Sequence, residues 1–293
     1  MMLAQETKNY LAHREWQVMR WMARTDGDGE FCPLFVRSLI PEGRLTFRLF
    51  MKVYDNAAGQ IQYHPFLPEG EILQEVWLAE LRRKGLDRLY YHKEELVKVI
   101  AYLNNHLLFL DMEKPSARQE KLEVMSDHLS LTLQYALGHS SLANNIYPVI
   151  EHVDQVLGEL EKDALPWASL WEVLSWEYGL YHHAINVFLL SFGFMRFLNK
   201  EANDCRIMSL AALLHDVGLT KVPHEVLYKT GPPNDKERRM LEKHPRHSFN
   251  MLKGCPTLPP EVLRLILEHH EYSDGSGYPQ GLPLWQQDRK SVV

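Results

Sequence analysis

The sequence predicts an α+β N-terminal domain followed by an all-α domain, and three observations carry that expectation. Aromatic and β-branched runs bounded by turn residues fall between about Pro33 and Tyr91. From about Ser116 onward Leu, Val, Ile and Ala recur at spacings of three and four, the period of an α-helix. The length of 293 residues exceeds the usual size of one compact domain. The expected division is 1–112 for the α+β part and 113–293 for the helical part.

Taken in order, Leu45 to Tyr54 mixes Thr46, Phe47, Phe50, Val53 and Tyr54 and stops at Asp55-Asn56, so it reads as a strand. Gln60 to His64 follows Gly59 and completes a hairpin. Ile72, Leu73, Val76, Trp77, Leu78 and Leu81 repeat at helical spacing, with Gly85 as the C-terminal cap. A short strand at Leu89-Tyr90-Tyr91 and a helix from Lys93 to Leu110 complete this part. Beyond it, breaks between helices fall near Asn144-Asn145, Pro166, Asn199 to Asp204, and Pro256 to Pro260.

Composition narrows the partners. With 32 Lys and Arg against 38 Asp and Glu the formal charge is -6, which offers no basic footprint for a nucleic acid polymer. A phosphate-bearing ligand must then be held locally, by metal or by a few cations. Cys32, Cys205 and Cys255 are odd in number and lack C-x-x-C pairing, so they read as reduced thiols. No basic flank precedes an apolar core at the start and no apolar run is long enough to span a bilayer, so no membrane partner is expected and the location reads as cytoplasmic.

The chemistry concentrates in four blocks of the helical part: His182-His183, His215-Asp216, His244-Pro245-Arg246-His247, and His269-His270 with Asp274 beyond. Imidazole and carboxylate together suit Fe, Mn, Zn or Ni, and the scarcity of thiolates argues against a structural zinc knot. Adjacent helical residues point about 100° apart, so His215 and Asp216 do not chelate one metal in the same way. Two metals bridged by a carboxylate solve that geometry, and such a pair activates a water and clamps a phosphoester. A lone histidine on an apolar helix is more often a hydrogen-bonded core residue. His182, His224 and His247 are read that way, as exposed or supporting groups. Asp274 precedes Gly275 and reads equally as turn chemistry.

The order His183, His215-Asp216, His244, His269-His270 and Asp274-Gly275-Ser276-Gly277-Tyr278-Pro279 resembles the HD-GYP subgroup of the HD-domain metal-dependent phosphohydrolases, over roughly residues 175 to 285. The resemblance implies an HD-type helical fold, two divalent metal ions, Fe or Mn, and hydrolysis of cyclic di-GMP to linear pGpG or GMP by a metal-bridging hydroxide. It implies that His183 and His215 bind one metal, that Asp216 bridges and is catalytic, and that His244, His269 and His270 bind the second. It also implies that Asp274, Gly275, Gly277, Tyr278 and Pro279 form a loop on the substrate side, where diguanylate cyclase (GGDEF) domains dock. A homodimer is compatible with it. The N-terminal part resembles, more loosely, the small regulatory or sensory domains that precede such phosphohydrolases.

Three positions depart from the family's pattern. Leu219 stands where a lysine is expected, which leaves Lys221 as the nearest cation to act on the phosphate. Gly179 stands where members with a third metal carry glutamate, and Glu177 lies about 120° off that line, so two metals are expected. The family's final aspartate ligand lies beyond Val293, with Asp288 as the stand-in, and the last residues read as the start of a helix in a truncated chain. The alternative is a degenerate module that binds nucleotide or docks cyclase domains without turnover.

Overall fold

The computed structural model describes residues 30–55, 59–110, 117–138, 141–161, 180–227, 229, 233–283 and 285. Two compact units result: Met1–Leu131 with Glu177–Gly179, and Thr132–Trp176 with Leu180–Val293. The division falls at Leu131 rather than near residue 112. Its cause is one unbroken helix, Ala117–Leu137, whose Val124 and Leu131 already belong to the core of the first unit.

In that first unit β1 (Phe31–Phe35), β2 (Leu49–Asp55), β3 (Gln60–Leu67) and β4 (Arg88–His92) form an antiparallel sheet ordered β1-β4-β2-β3, with α1 (Glu75–Arg83) and α2 (Leu96–Phe109). The β2–β3 hairpin turns through Gly59 at φ 66°, a left-handed conformation that glycine adopts without strain. β1 carries no strand signal of its own because Pro33 interrupts it. It tolerates the proline as an edge strand, where a missing N–H leaves no ladder bond unmade.

One cause accounts for two boundary shifts. Leu45 donates its N–H to Glu71, Gly70 to Leu45 and Leu73 to Gly43, so residues 43–45 pair with residues 70–73 instead of joining the sheet. β2 therefore starts at Leu49, not Leu45, and α1 starts at Glu75, not Ile72. α1 ends as the sequence predicts: Gly85 is at φ 69°, its N–H reaches the Arg82 carbonyl, and Leu86 reaches Leu81. Leu34, Phe47, Leu49, Leu78, Leu81, Tyr91 and Leu103 fill the core.

The second unit takes the rest of α3 (Ala117–Leu137), then α4 (Leu142–Asn145), α5 (Tyr147–Glu161), α6 (Leu180–Phe197), α7 (Ala202–Leu214), α8 (His224–Leu227), α9 (Asp235–Leu241), α10 (His244–Leu252) and α11 (Pro260–Glu268). α6 packs on α7, α7 on α11, and α11 on α10. Phe188 and Leu189, Leu210, Leu213 and Leu214, and Val262 and Ile266 are buried between them. The break after α6 is made by Asn199 at φ 54°, with Lys200 donating to Met195 and Asn199 to Arg196, a helix stop that asparagine supports where glycine is commoner. The expected break at Pro166 lies outside the described residues. Among those described, no helix is long and apolar enough to cross a membrane.

Candidate metal centre

α7 runs through an apolar stretch from Leu210 to Leu214 and then stops being an α-helix. His215 is its C-cap, and Asp216, at φ -101°, opens a 3₁₀ turn over Val217–Lys221. The 100° argument from helical geometry therefore does not hold at this pair. Released from the helix, the ring and the carboxylate converge, with His215 Nε2 3.2 Å from Asp216 Oδ2.

Asp216 lies at the centre of two groups of donors. Its Oδ2 faces His215 and, at 3.7 Å, His183 from α6. Its Oδ1 faces His244 from α10 at 3.0 Å and His269, the C-cap of α11, at 3.7 Å. His183, His215 and Asp216 bring ligand atoms within 4.8 Å of one another, and so do Asp216, His244, His269 and His270. The six residues singled out as ligands from sequence are thus together, with the carboxylate common to both groups.

Backbone chemistry sets which nitrogens point inward. The Nδ1 atoms of His215, His244 and His269 each lie 2.8 Å from the carbonyl three residues earlier, Ala212, Leu241 and Ile266. A carbonyl only accepts, so each Nδ1 carries the proton and donates it. These carbonyls are at helix ends, where the next turn supplies no N–H. The Nε2 atoms are left with lone pairs, and those of His244 and His269 meet at 3.1 Å.

Lone pairs facing a carboxylate repel it. Asp216 Oδ1 is buried and receives no hydrogen bond, although His244 Nε2 is 3.0 Å away. A cation resolves this, and an all N and O donor set without thiolate suits a divalent metal. The residues present fit such a group. Burial would raise the Asp216 carboxyl, but the hydrogen bonds that the rings of His215, His244 and His269 give it when their Nε2 atoms are protonated outweigh burial and hold the group well below the usual carboxylate range, so the carboxylate stays ionised with either protons or a cation facing it. Burial, followed by the charges of His269 and His244, pushes His270 down to about 4. Burial and then neighbouring imidazole charge lower His183, while in His269 burial, together with repulsion from other rings, outweighs the pull of the Asp216 carboxylate. His215 is the exception: despite burial, Asp216 raises it. Three of the four shifted rings are therefore held in the neutral, ligating form.

The loop after α11 wraps the second group. Tyr278 stacks on His270 at 4.6 Å, and its N–H donates to the His270 carbonyl. Burial and the nearby Glu242 raise its phenol to about 12, so it stays protonated. Gly277 is there by necessity, because a Cβ would sit 2.3 Å from the Tyr272 nitrogen and 2.4 Å from the His270 oxygen. The Tyr278-Pro279 peptide is cis and Gly275 has φ 79°. Asp274 is exposed and accepts from the Ser276 N–H at 2.9 Å and its hydroxyl at 2.6 Å, a local turn. It is in neither ligand group.

Lys221 is exposed at the end of the 3₁₀ turn, where it helps depress His247, after burial and Lys243. Leu219 is half-buried and donates its N–H to Asp216. His182, His224 and His247 join neither ligand group. Glu177, Gly179 and Asp288 lie outside the described residues.

Three supporting residues are not singled out by the sequence. Glu271 accepts from the N–H groups of Gln280 at 2.6 Å and Leu282 at 2.8 Å, which closes the loop. Arg246 donates to the Pro279 carbonyl at 3.0 Å. Ser248 is fully buried on α10, and its hydroxyl accepts from the Gly218 N–H at 2.8 Å and donates to the His215 carbonyl at 2.7 Å. Only the four-residue spacing from His244, one helical turn, hinted that Ser248 shares the face of a ligand.

Helices that place a His-Asp pair against further histidines define an HD domain, and residues 179–283 match the HD domain family. The chain is also similar, over part of its length, to curated cyclic dinucleotide phosphodiesterases. It is 32% identical over 130 residues to the cyclic di-GMP phosphodiesterase PA4108 of Pseudomonas aeruginosa, 44% of this chain and 31% of that protein. It is 41% identical over 86 residues to the cyclic di-GMP phosphodiesterase response regulator RpfG of Xanthomonas campestris pv. campestris, 29% of this chain and 23% of that protein. To the 3'3'-cGAMP-specific phosphodiesterase 1 of Vibrio cholerae it is 35% identical over 88 residues, 29% of this chain and 19% of that protein. The chain thus spans less than a third of the length of these curated relatives. The solved structure of Bd1817, an HDG"Y"P protein from Bdellovibrio bacteriovorus, shares the fold with a TM-score of 0.64 at 18% identity, over 90% of this chain and 84% of that one.

Proposed function

We propose that this chain is a metal-dependent phosphodiesterase that hydrolyses cyclic di-GMP to linear pGpG or GMP. The observation that supports the reading best is Asp216, with one carboxylate oxygen toward His183 and His215 and the other toward His244 and His269. His183 and His215 would hold one Fe or Mn ion, and His244, His269 and His270 the second, with Asp216 shared. Two such ions supply a nucleophilic water at neutral pH and offset the phosphate's negative charge. The chain's own residues keep Asp216 ionised, aim four ring nitrogens inward, and close one side with Tyr278 against His270. Lys221 is the cation nearest in sequence to the turn, and it would reach the phosphate in place of a residue at 219.

Leu219 favours a second reading, in which the domain binds a cyclic dinucleotide, or docks a cyclase domain through Tyr278, without turnover. The purified chain loaded with two equivalents of Mn or Fe is expected to convert cyclic di-GMP to pGpG or GMP, followed by chromatography. Intact cyclic di-GMP, with measurable binding and no gain on Leu219→Lys, would favour the second reading. Faster turnover of 3′3′-cGAMP would move the substrate and keep the chemistry.

A further inference from the structure

The geometry points to Ser248 as a positioning residue for the metal centre: its single hydroxyl holds the turn that aims His215 and Asp216. This rests on the metal-binding reading above. In a continuing α-helix the His215 carbonyl would accept from the Leu219 N–H, and the Gly218 N–H would donate to the Leu214 carbonyl. Here the Leu219 N–H goes to Asp216 at 2.9 Å instead, which frees the His215 carbonyl. Both groups freed by the helix's end are then met by one atom, with Ser248 Oγ donating to His215 at 2.7 Å and accepting from Gly218 at 2.8 Å.

The contact between the turn and α10 is close enough to exclude any side chain at position 218. A Cβ on Gly218 would lie 2.2 Å from the His244 carbonyl oxygen, 2.5 Å from the Ser248 nitrogen and 2.7 Å from Ser248 Oγ. α10 is therefore pressed against the turn at the point where His244 enters the site. Ser248 ties the backbone of the first ligand group, through His215, to the helix that supplies the second, through His244. Without the hydroxyl the two backbone groups lack partners in a buried place, and the simplest relief is for the 3₁₀ turn to rewind toward α-helix. That would swing Asp216 away from the position where both its oxygens face imidazoles.

Co(II) is the probe, because its visible spectrum reports coordination geometry. Ser248→Ala is expected to weaken Co(II) binding about 10- to 100-fold, the usual loss when a group supporting a ligand is removed, and to alter the spectrum at saturation. Ser248→Thr, which keeps the hydroxyl, is expected to bind as the unmodified chain does. Ser209→Ala, another fully buried serine, on α7, is expected to leave affinity and spectrum unchanged. Melting of the metal-free variants separates the roles: a lower melting temperature for Ser248→Ala with unchanged Co(II) affinity and spectrum would overturn the positioning role. An unmodified chain that binds no Co(II) would overturn the metal reading itself, and the positioning role with it.

Discussion

Two carboxylates, one buried in the first unit and one half-buried in the second, are treated in opposite ways. Asp127 in the sheet-containing unit is surrounded by donors: Arg37 gives it Nε at 3.2 Å and Nη2 at 2.8 Å, and the Ser38 hydroxyl donates as well. Asp216 in the helical unit is surrounded by ring nitrogens whose protons are already committed to carbonyls. The first carboxylate is completed by the protein, through a bidentate guanidinium that fits it. The second is prepared by the protein and completed from outside. A buried charge with its partners in place is a structural element, whereas one held among acceptors reads as a binding site.

The largest break in this contrast comes from Asp216→Asn. It keeps the shape and removes the charge shared by both ligand groups, so metal per chain measured by mass spectrometry is expected to collapse, with affinity down by more than about 100-fold. Full occupancy in that variant would remove Asp216 from its shared position. Thermal melting of the metal-free variant should fall only slightly, because the rings of His215, His244 and His269 keep their bonds to the Ala212, Leu241 and Ile266 carbonyls. Asp127→Ala should do the reverse. It leaves Arg37 without its partner, and with side-chain exposures of 25% and 6% for Arg37 and Asp127 the pair is buried enough for a loss of about 3 kcal/mol in denaturant unfolding. Its metal content should match that of the unmodified chain. A fall in metal content without loss of stability would mean that the two carboxylates are not separate in role.

The ligands were legible because histidine and aspartate are rare inside apolar helical runs, so four such blocks stand out without any knowledge of contacts. Their convergence around Asp216 was legible only through a family resemblance, since nothing local marks that α7 ends at Leu214: Leu210 to Leu214 contain no glycine or proline. Hence the 100° rule was applied to a pair that is no longer helical. Ser248 was out of reach because serine is common in helices and its partners lie 30 and 33 residues away. In the sheet unit the hairpin and both helices followed from period and turn chemistry, while β1 was hidden by Pro33 and its pairing with β4 is remote in sequence. Local signals find residue types and element types. Where a long-range hydrogen bond decides the backbone, as at residues 43–45 and at Gly218, they do not.

The smallest expected effect separates the units by pH. His106 lies in the Asp127 network, with its Nδ1 3.1 Å from the Ser38 carbonyl, and burial lowers it from the ordinary 6.5 despite the pull of Ser38 and Glu120. A histidine depressed in the folded state contributes stability that is full above 6.5 and is lost as the pH falls through its lowered value. Acidification should therefore lower the stability of the sheet-containing unit, and His106→Gln, which cannot charge, should flatten that slope without touching metal content. Denaturant unfolding followed at several pH values through Trp77 fluorescence, with the other tryptophans replaced by phenylalanine, reads this unit alone. An unchanged slope in His106→Gln would shift the acid sensitivity to another group. A slope that depends on added metal would couple the Asp127 network to the Asp216 centre and erase the contrast between the two carboxylates.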